Sequence, residues 1–303
     1  METKKVAVLL ATYNGEKYIE QQIDSILNQQ YVNFDLYVWD DKSSDSTREI
    51  LSRYERQFPN MHVTLSDVNL GYPGSFYALT DMMIDADYFM FSDQDDVWCP
   101  EKISQMVEKM EQTDPSVPTA YFADYYICDE NLNKLSKSVG QDGPIELYNT
   151  LFEVCGLEFT MAINKTAKDF LNHNKPQRVK ARGTWMWMLY SAFGTIIYDN
   201  RPCAFYRRHG SAVTSSNMSF WGLWKWRIST FFGGGFDDYK LKLQDFYSTV
   251  GDQLGAKERK MLFHFSDPRY FRNIFYKLFF PRRLRRKFFD ELMLRFIFLI
   301  GKL

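Results

Sequence analysis

Short apolar runs that alternate with amphipathic stretches in the first hundred residues constrain the fold more than any other feature of this chain. Four apolar runs typical of buried strands lie at residues 6–11, 36–39, 62–65 and 88–91. Helical apolar spacing covers residues 18–27, 47–58 and 74–84. Strands that alternate with helices in this way form successive βαβ units. The sequence therefore predicts an α/β fold with a mainly parallel central sheet. Beyond residue 115 the pattern is looser, and we expect short strands at residues 159–163, 195–198 and 204–207.

Polar side chains are densest directly after the first, second and fourth predicted strands. These three segments are residues 11–15, 40–46 and 92–96. In open α/β sheets, ligands bind beyond the carboxyl ends of the strands. We therefore expect the three segments to form one ligand site.

Asp93 and Asp95 give the strongest indication of what that site binds. Two carboxylates two residues apart on a turn can both approach one hard divalent cation. Mg²⁺ or Mn²⁺ commonly takes one or two carboxylates plus phosphate oxygens. Alone, such a pair is more often a solvated acidic turn, but its position at the end of a predicted strand favours a metal site.

The other two segments fit a nucleotide. Asp41 can accept hydrogen bonds from the N–H of a pyrimidine ring, while residues 43–45 can cap the following helix. Small residues in segment 11–15 let a nucleotide lie close to the backbone, and Tyr13 offers an aromatic face. The sequence lacks both GxGxxG and GxxxxGK(S/T), which counts against a dinucleotide cofactor and against a P-loop.

Taken in order, four sequence blocks resemble family 2 glycosyltransferases. The blocks are Ala11-Thr12-Tyr13-Asn14-Gly15, Asp40-Asp41-x-Ser-x-Asp45-x-Thr47, Asn69-Leu70-Gly71 and Phe91-Ser92-Asp93-Gln94-Asp95-Asp96-Val97-Trp98. The last block is especially similar to the branch that contains bacterial rhamnosyl- and related polysaccharide glycosyltransferases. The resemblance, which covers residues 4 to about 215, implies a Rossmann-like GT-A fold and a UDP- or dTDP-linked sugar donor. It also implies transfer with inversion at the anomeric carbon.

The resemblance further implies roles for individual residues. Asp41 would hold the base, and Asp93 and Asp95 would serve the metal and the diphosphate. Asp96 would lie at the donor sugar. His209, unless it is an ordinary surface histidine, would lie near the metal or the diphosphate. The residues implied to bind the nucleotide-sugar are Ala11, Thr12, Tyr13, Asn14, Asp41, Gly71, Asp93, Asp96, Arg207 and Arg208. Of these, Arg207 and Arg208 are candidates to neutralise the leaving group. The residues implied to bind Mg²⁺ or Mn²⁺ are Asp93, Asp95 and His209.

One position departs from the family pattern. This branch usually has a His-Asp pair before a Trp-containing helix, its Asp being the general base, but here the pair falls on Arg182-Gly183. Glycine cannot take the proton of the acceptor hydroxyl, a role for which a positioned base is typically worth about 10²–10⁴-fold. Glu158 or Asp124 is the candidate to supply the missing carboxylate. If neither does, the chain would be a catalytically weak, donor-binding partner of another glycosyltransferase.

The formal net charge of −1 hides a strong asymmetry. Residues 269–303 hold ten Lys or Arg and two Asp or Glu, or +8, whereas the rest of the chain holds 27 and 36, or −9. The apolar run at 292–300 is interrupted by Arg295. It is far shorter than a transmembrane helix, which needs about 20 apolar residues to span a bilayer. A basic, aromatic helix of this kind is typical of attachment to a membrane surface, or of packing on the catalytic domain or a second subunit. The aromatic segment 220–232 is a second candidate for membrane contact.

These features predict a GT-A domain over residues 1–215 and a helical, basic extension over 216–303 that is membrane-proximal or forms a homo-oligomer. An acidic body with a basic tail counts against nucleic acid as a partner. The four cysteines are far apart, which counts against a zinc site and a disulfide scaffold. A nucleotidyltransferase would usually begin with a Gly-rich, basic first loop, which residues 11–15 lack.

The expected location is the cytoplasm, at the inner face of the cell membrane. The apolar run near the N-terminus is too short for a signal peptide. The expected acceptor is a saccharide or a lipid-linked saccharide in surface polysaccharide biosynthesis.

Overall fold

The computed structural model describes residues 3–141, 143–208 and 236–303, and a mixed sheet of nine strands dominates its first two hundred residues. The strands are β1 (Val6–Thr12), β2 (Phe34–Asp40), β3 (Met61–Leu65), β4 (Tyr88–Ser92), β5 (Val97–Trp98), β6 (Thr119–Cys128), β7 (Lys134–Lys137), β8 (Ala162–Asn164) and β9 (Thr195–Arg207). Their order across the sheet is β3-β2-β1-β4-β8-β6-β9-β5, and β7 pairs with β6.

The predicted parallel half of the sheet is confirmed. β1 pairs in parallel with β2 and with β4, and β2 pairs in parallel with β3. The side chains from Val6 to Leu10 are completely buried, as expected for a strand that is covered on both faces. Because these strands are parallel, the segments that follow β1, β2 and β4 all leave the sheet at the same edge.

Helices connect the strands of this parallel half. Among the described residues the helices are α1 (Ile19–Leu27), α2 (Thr47–Gln57), α3 (Gly74–Asp81), α4 (Lys102–Met110), α5 (Leu147–Thr150), α6 (Lys165–His173), α7 (Gly183–Phe193), α8 (Asp237–Val250), α9 (Ala256–Ser266), α10 (Tyr270–Leu278) and α11 (Phe288–Leu299). Ile19, Ile23 and Ile26 of α1 are four and three residues apart, and all three are fully buried. The apolar stripe that predicts this helix is therefore the face that packs on the sheet.

The sequence prediction is less accurate beyond residue 115. Residues 159–163, predicted as a strand, form a 3₁₀ turn (Glu158–Thr160) followed by β8. Residues 195–198 and 204–207, predicted as two strands, belong to the single strand β9, which keeps its pairing with β6 through two shifts of register. A bulge absorbs the extra residues without ending the strand.

The chain folds into two compact units, and neither is a continuous stretch. The sheet unit contains the described residues of Met1–Gly143, Gly156–His173 and Gly194–Gly210, and the helical unit contains those of Pro144–Cys155, Asn174–Phe193 and Ser211–Leu303. The ring of Phe152 packs against Phe265 and Phe298 inside the helical unit, with ring centroids 5.1 and 5.6 Å apart. The domain boundary predicted at residue 215 lies outside the described residues and stays a prediction.

Gly194, which precedes β9, packs so tightly against the start of β6 that only glycine fits. A Cβ atom at this position would overlap the carbonyl oxygen of Pro118, which also accepts the backbone N–H of Thr195 over 2.9 Å. We expect Gly194→Ala to lower the free energy of unfolding by about 3 kcal/mol, because backbone must move to relieve the overlap. Urea denaturation measures this change.

Gly143→Ala is the matched control within the sheet unit. Gly143 has a positive φ of 79°, but an added Cβ would meet no other atom within 4 Å. Its substitution should cost only the strain of a left-handed residue, about 1–2 kcal/mol. Equal losses for the two variants would contradict the packing argument.

Candidate active site

Three loops leave the carboxyl ends of β1, β2 and β4, and hydrogen bonds join them. The Thr12 hydroxyl donates to Oε1 of Gln94 over 2.6 Å, and the Tyr13 backbone N–H donates to the same oxygen over 2.8 Å. The Gln94 amide donates in return to the Tyr13 carbonyl oxygen over 3.2 Å. The Asp41 backbone N–H donates to the Thr12 carbonyl oxygen over 2.8 Å. The structure therefore brings together the three segments that the sequence predicts to form one site.

Asn14 fixes the loop after β1 against the loop after β2. Its φ of 46° lies in the left-handed region, which asparagine tolerates better than most residues. Its backbone N–H donates to the Ser43 hydroxyl, and its side-chain oxygen accepts the Ser44 N–H, both over 2.9 Å. The Asp45 carboxylate accepts the N–H of Thr47 in the first turn of α2 over 3.1 Å. Ser43 and Ser44 thus bind Asn14, and Asp45 bonds to the helix.

Asp41 is 3% exposed, and its carboxylate holds a neighbouring loop. The backbone N–H groups of Leu70 and Gly71 donate to its two oxygens over 2.9 and 2.7 Å, and the Trp39 indole donates over 3.1 Å. Gly71 has a φ of 62°, a conformation that favours glycine. A carboxylate offers about four acceptor positions, so one remains for a ligand N–H.

The loop after β4 concentrates negative charge at Asp93, Asp95 and Asp96. Asp96 is 1% exposed, and its Oδ2 has no hydrogen-bond partner among the described residues. Burial, and then the charges of Asp95 and Asp93, raise the pKa of Asp96 well above its usual value. A buried polar atom without a partner is rare in native structures and indicates a missing ligand, ion or water.

Lys102, at the start of α4, is a buried cation close to this turn. It is almost completely buried, and burial lowers its pKa, although the negative charge of Asp96 opposes the shift. Its ammonium group donates to the Phe159 carbonyl oxygen over 2.7 Å and lies 3.6 Å from the centroid of the Trp98 ring. Lys102 therefore connects α4 to the turn that carries Glu158.

Arg207, at the end of β9, holds the backbone of the acidic turn. Its guanidinium donates to the carbonyl oxygens of Asp95 over 2.9 Å and Glu130 over 2.6 Å, and to the side chain of Gln21. Its backbone N–H donates to Oδ1 of Asp96 over 3.3 Å. Three of the five guanidinium N–H donors are thus used within the protein. The predicted contact of Arg207 with the leaving group stays a prediction.

Glu158 and Asp124, the two candidates for the general base, lie in different surroundings. The Tyr72 hydroxyl donates to a Glu158 carboxylate oxygen over 2.6 Å. Asp124 is buried, forms a 2.9 Å ion pair with Lys137, and accepts the Ser138 hydroxyl over 2.9 Å. The carboxylate of Asp124 is therefore buried and held by partners within the sheet, whereas Glu158 is partly exposed on the turn before β8.

The remaining predicted residues are placed as follows. Gly183, at the position of the usual base, is buried and begins α7 in the helical unit. The backbone N–H of Arg208 donates to the Cys128 carbonyl oxygen over 3.0 Å, and its Nε is buried without a partner among the described residues. Ala11 lies within β1, and Tyr13 is half exposed beyond its end. His209 lies outside the described residues.

The acidic turn carries the type of donor that a divalent cation prefers, and the predicted metal site at Asp93 and Asp95 stays a prediction. The three carboxyl groups of the turn are hard oxygen donors, and the partnerless oxygen of Asp96 is the kind of atom that a ligand would satisfy. Within residues 3–141, 143–208 and 236–303, no three His, Cys, Asp or Glu side chains converge in a way that could hold a metal ion.

Sequence reasoning missed three residues that organise the site, namely Gln94, Lys102 and Tyr72. Lys102 had a detectable signal, because it interrupts the apolar stripe of α4 one turn before Met106. Gln94 stands between two aspartates that are the more obvious ligands. Its role is to bond the loop after β1 at Tyr13, which lies 81 residues away in the sequence. No local pattern identifies Tyr72.

A parallel sheet with an aspartate-bearing loop and an acidic turn at its carboxyl edge is the architecture of GT-A glycosyltransferases. The chain has this fold. It superposes on residues 1–349 of S. aureus TarS, crystallised with UDP-GlcNAc, with a TM-score of 0.60 and 16% identity over 98% of this chain and 80% of that chain. It also superposes on the mannosyltransferase PcManGT of Pyrobaculum calidifontis, in complex with GDP-Man and Mn²⁺. The TM-score is 0.51 and the identity 16%, over 91% of this chain and 72% of that chain.

The chain belongs to family 2 of the glycosyl transferases. The family model described as glycosyl transferase family 2 matches residues 7–181. The dTDP-rhamnosyl transferase RfbG of Shigella flexneri is 31% identical over 225 residues, which cover 70% of this chain and 75% of RfbG. These matches confirm the family that the sequence blocks indicate.

The contacts of Arg207 predict a structural contribution that Arg208 lacks. We expect Arg207→Lys to lower the free energy of unfolding by about 2 kcal/mol, because an ammonium group cannot reproduce the planar fork that reaches three separate acceptors. Arg208→Lys is the matched control and should change stability by less than about 0.5 kcal/mol. Urea denaturation of both variants is the measurement, and a larger loss for Arg208→Lys would contradict the assignment.

Proposed function

We propose that the protein transfers a sugar, with inversion at the anomeric carbon, from a UDP- or dTDP-linked donor to a saccharide or lipid-linked saccharide. The product would belong to a surface polysaccharide. The observation that carries this proposal is the junction of the Asp41 loop with the acidic turn, through Thr12, Tyr13 and Gln94. The dTDP-rhamnose named for RfbG and the UDP-GlcNAc bound to TarS support a nucleoside diphosphate-sugar as donor.

The donor would lie along the edge formed by these loops. Tyr13 is half exposed there and offers a flat face to a base. Asp41 has acceptor capacity left for a pyrimidine N–H. Residues 11–14 and Gly71 would line the nucleoside, and Asp93, Asp96, Arg207 and Arg208 would lie towards the diphosphate and the sugar. Arg207 would act mainly by holding the acidic turn, since its N–H groups bind that turn.

We further propose that Asp93 and Asp95 hold Mg²⁺ or Mn²⁺ together with donor phosphate oxygens, with His209 as an additional ligand. When bound, the cation would stabilise the negative charge on the departing diphosphate. The Mn²⁺ in the PcManGT complex supports this choice. The carboxylates of Asp93 and Asp95 would hold the ion and, with it, orient the leaving group.

Glu158 is our candidate for the general base. In the proposed step, its carboxylate accepts the proton of the acceptor hydroxyl while that oxygen attacks the anomeric carbon and the bond to the diphosphate breaks. The hydrogen bond from the Tyr72 hydroxyl holds this carboxylate in one orientation. Lys102 supports the turn that carries it, through the Phe159 carbonyl oxygen.

The second candidate function is a donor-binding subunit that transfers poorly and assists another glycosyltransferase. The observation that favours it is Gly183, which cannot act as a base. The two functions differ in one measurement, namely turnover of a donor that the protein binds.

Asp95→Asn tests the metal site. Removal of one negative ligand should abolish Mn²⁺-dependent donor binding and reduce transfer about 100-fold or more. Binding is measured by calorimetry with UDP- and dTDP-sugars, and transfer with membrane extract as acceptor. Asp114→Asn, an exposed carboxylate change, is the control. Full activity of wild-type protein in EDTA would contradict metal dependence.

Glu158→Gln tests the base and keeps an oxygen that accepts the Tyr72 hydroxyl. We expect kcat to fall by about 10²–10⁴-fold with an unchanged donor Kd. Asp124→Asn is the comparison and should reduce stability, because it removes one member of the ion pair with Lys137, but not turnover per folded molecule.

Three outcomes would change these assignments. Unchanged turnover in Glu158→Gln would remove Glu158 as the base. Loss of turnover in folded Asp124→Asn alone would assign the base to Asp124. Metal-dependent donor binding by the wild type without any turnover would favour the donor-binding subunit.

A further inference from the structure

The helix α10 exposes a stripe of phenylalanines. Phe271, Phe275 and Phe279 follow one another at intervals of four residues, so they project from the same side of the helix. They are 89, 71 and 76% exposed. The opposite side of the helix is buried at Asn273, Ile274 and Lys277. Large side chains exposed in a row are uncommon on soluble surfaces and mark interaction sites.

The helix α11 repeats this arrangement. Its exposed apolar side chains are Phe288, Phe289, Leu292, Met293, Phe296 and Leu299, followed by Ile300. Leu294, Ile297 and Phe298 on the other side are buried. The exposed apolar surface therefore extends over two consecutive helices.

The two helices are fastened to each other by hydrogen bonds. The Tyr270 hydroxyl donates to the Leu299 carbonyl oxygen over 2.6 Å. Arg295 donates to the carbonyl oxygens of Lys277 and Leu278 at the end of α10, the latter over 3.0 Å. Arg295, which interrupts the apolar run in the sequence, is thus an internal tie between the helices.

The structure divides the basic residues of this region into two sets. Arg295 pairs with Glu291 over 2.6 Å, Arg286 with Glu153 over 3.1 Å, and Arg269 with Asp267 over 2.9 Å. Arg285 donates to the Phe152 carbonyl oxygen. These four serve the fold. The other exposed cations are Arg272, Arg282, Arg283, Lys287 and Lys302, whereas Lys277 is buried.

Residues 269–303 contain few carboxylates beside these exposed cations. Asp290 and Glu291 are the acidic residues of 269–303, all of which the structure describes. Glu291 is buried and accepts two backbone N–H groups over 2.9 and 2.8 Å, and Asp290 is partly buried. Asp267 lies 4.0 Å from Arg272, but it is buried and already pairs with another arginine. The exposed side chains of residues 269–303 are therefore apolar or cationic.

We propose that this surface of α10, α11 and the linker between them docks on an anionic lipid bilayer. The phenylalanines enter the interface between headgroups and acyl chains, and the exposed cations bind headgroup phosphates. A two-fold interface would bring this cationic surface together with its own copy, and residues 269–303 expose no carboxylate to balance the charge. Among the described residues, none of the helices is long and apolar enough to cross a membrane. The inference goes beyond the proposed reaction and does not depend on it.

Vesicle sedimentation of the full chain without donor tests the proposal. We expect binding to phosphatidylcholine vesicles that contain about one-third phosphatidylglycerol, weak binding to pure phosphatidylcholine, and a decrease with salt. The triple change Arg282→Gln, Arg283→Gln and Lys287→Gln should weaken binding about 100-fold, since each cation contributes roughly fivefold. The triple change Phe271→Ser, Phe275→Ser and Phe279→Ser should weaken it at least about tenfold.

Matched controls replace equally exposed residues elsewhere. The charge control changes Arg56, Lys257 and Lys260 to Gln, and the apolar control changes Val32, Met83 and Val139 to Ser. Both should bind as the wild type does. All affected side chains are exposed, so circular dichroism should show every variant folded.

Two results would overturn the proposal. The first is absence of wild-type binding to anionic vesicles. If sedimentation velocity then reveals a dimer that the phenylalanine variant loses, the surface is an interface with a second copy. The second is an equal loss in the controls, which would indicate general charge attraction. Because no sugar donor is present, either result leaves the proposed transfer reaction untouched, and failed transfer leaves vesicle binding to be judged by itself.

Discussion

Three carboxyl groups within four residues repel one another at the end of β4, and the surrounding structure holds that turn against the repulsion. Arg207 binds its backbone at the Asp95 carbonyl oxygen, and Gln94 ties it to the loop after β1. Lys102 provides a buried positive charge nearby. The protein thus keeps three acidic side chains together at the edge of the sheet where we propose that a divalent cation binds. The sheet makes this possible, because parallel strands deliver all three loops to one edge.

A second set of contacts connects the two ends of the proposed reaction. Asp41, the candidate for holding the base, binds the backbone of Leu70 and Gly71. The next residue, Tyr72, binds Glu158, the candidate for the general base. A single short loop therefore touches both groups. Donor binding at Asp41 and proton transfer at Glu158 would depend on the same few backbone positions. A bound donor could therefore affect the general base through this loop.

The helical unit shows how a charged tail is shared between folding and surface. Counted in sequence, residues 269–303 carry an excess of eight positive charges. In the structure, four of the arginines bind carbonyl oxygens or carboxylates of the same unit, and Arg295 joins two helices. The remaining exposed cations border the phenylalanines of α10 and α11. Net charge alone overstates the charge that such a region can offer to a partner.

Much of the fold was accessible from sequence, because strand and helix periodicities are local. The presence of the first four strands, their parallel arrangement, the three loops at one edge and the family all followed from runs of a few residues. The tertiary structure decided what those runs do not contain. Lys102 and Phe159 are 57 residues apart, and Arg207 and Gln21 are 186 apart, so no local pattern announces either contact. No local pattern announces the ion pair between Asp124 and Lys137 either. Nor does one show which arginines of the C-terminal helices bind groups within the protein and which face the solvent. Periodicity determines which elements form, whereas the role of a long polar side chain depends on which distant atoms the folded chain places within its reach.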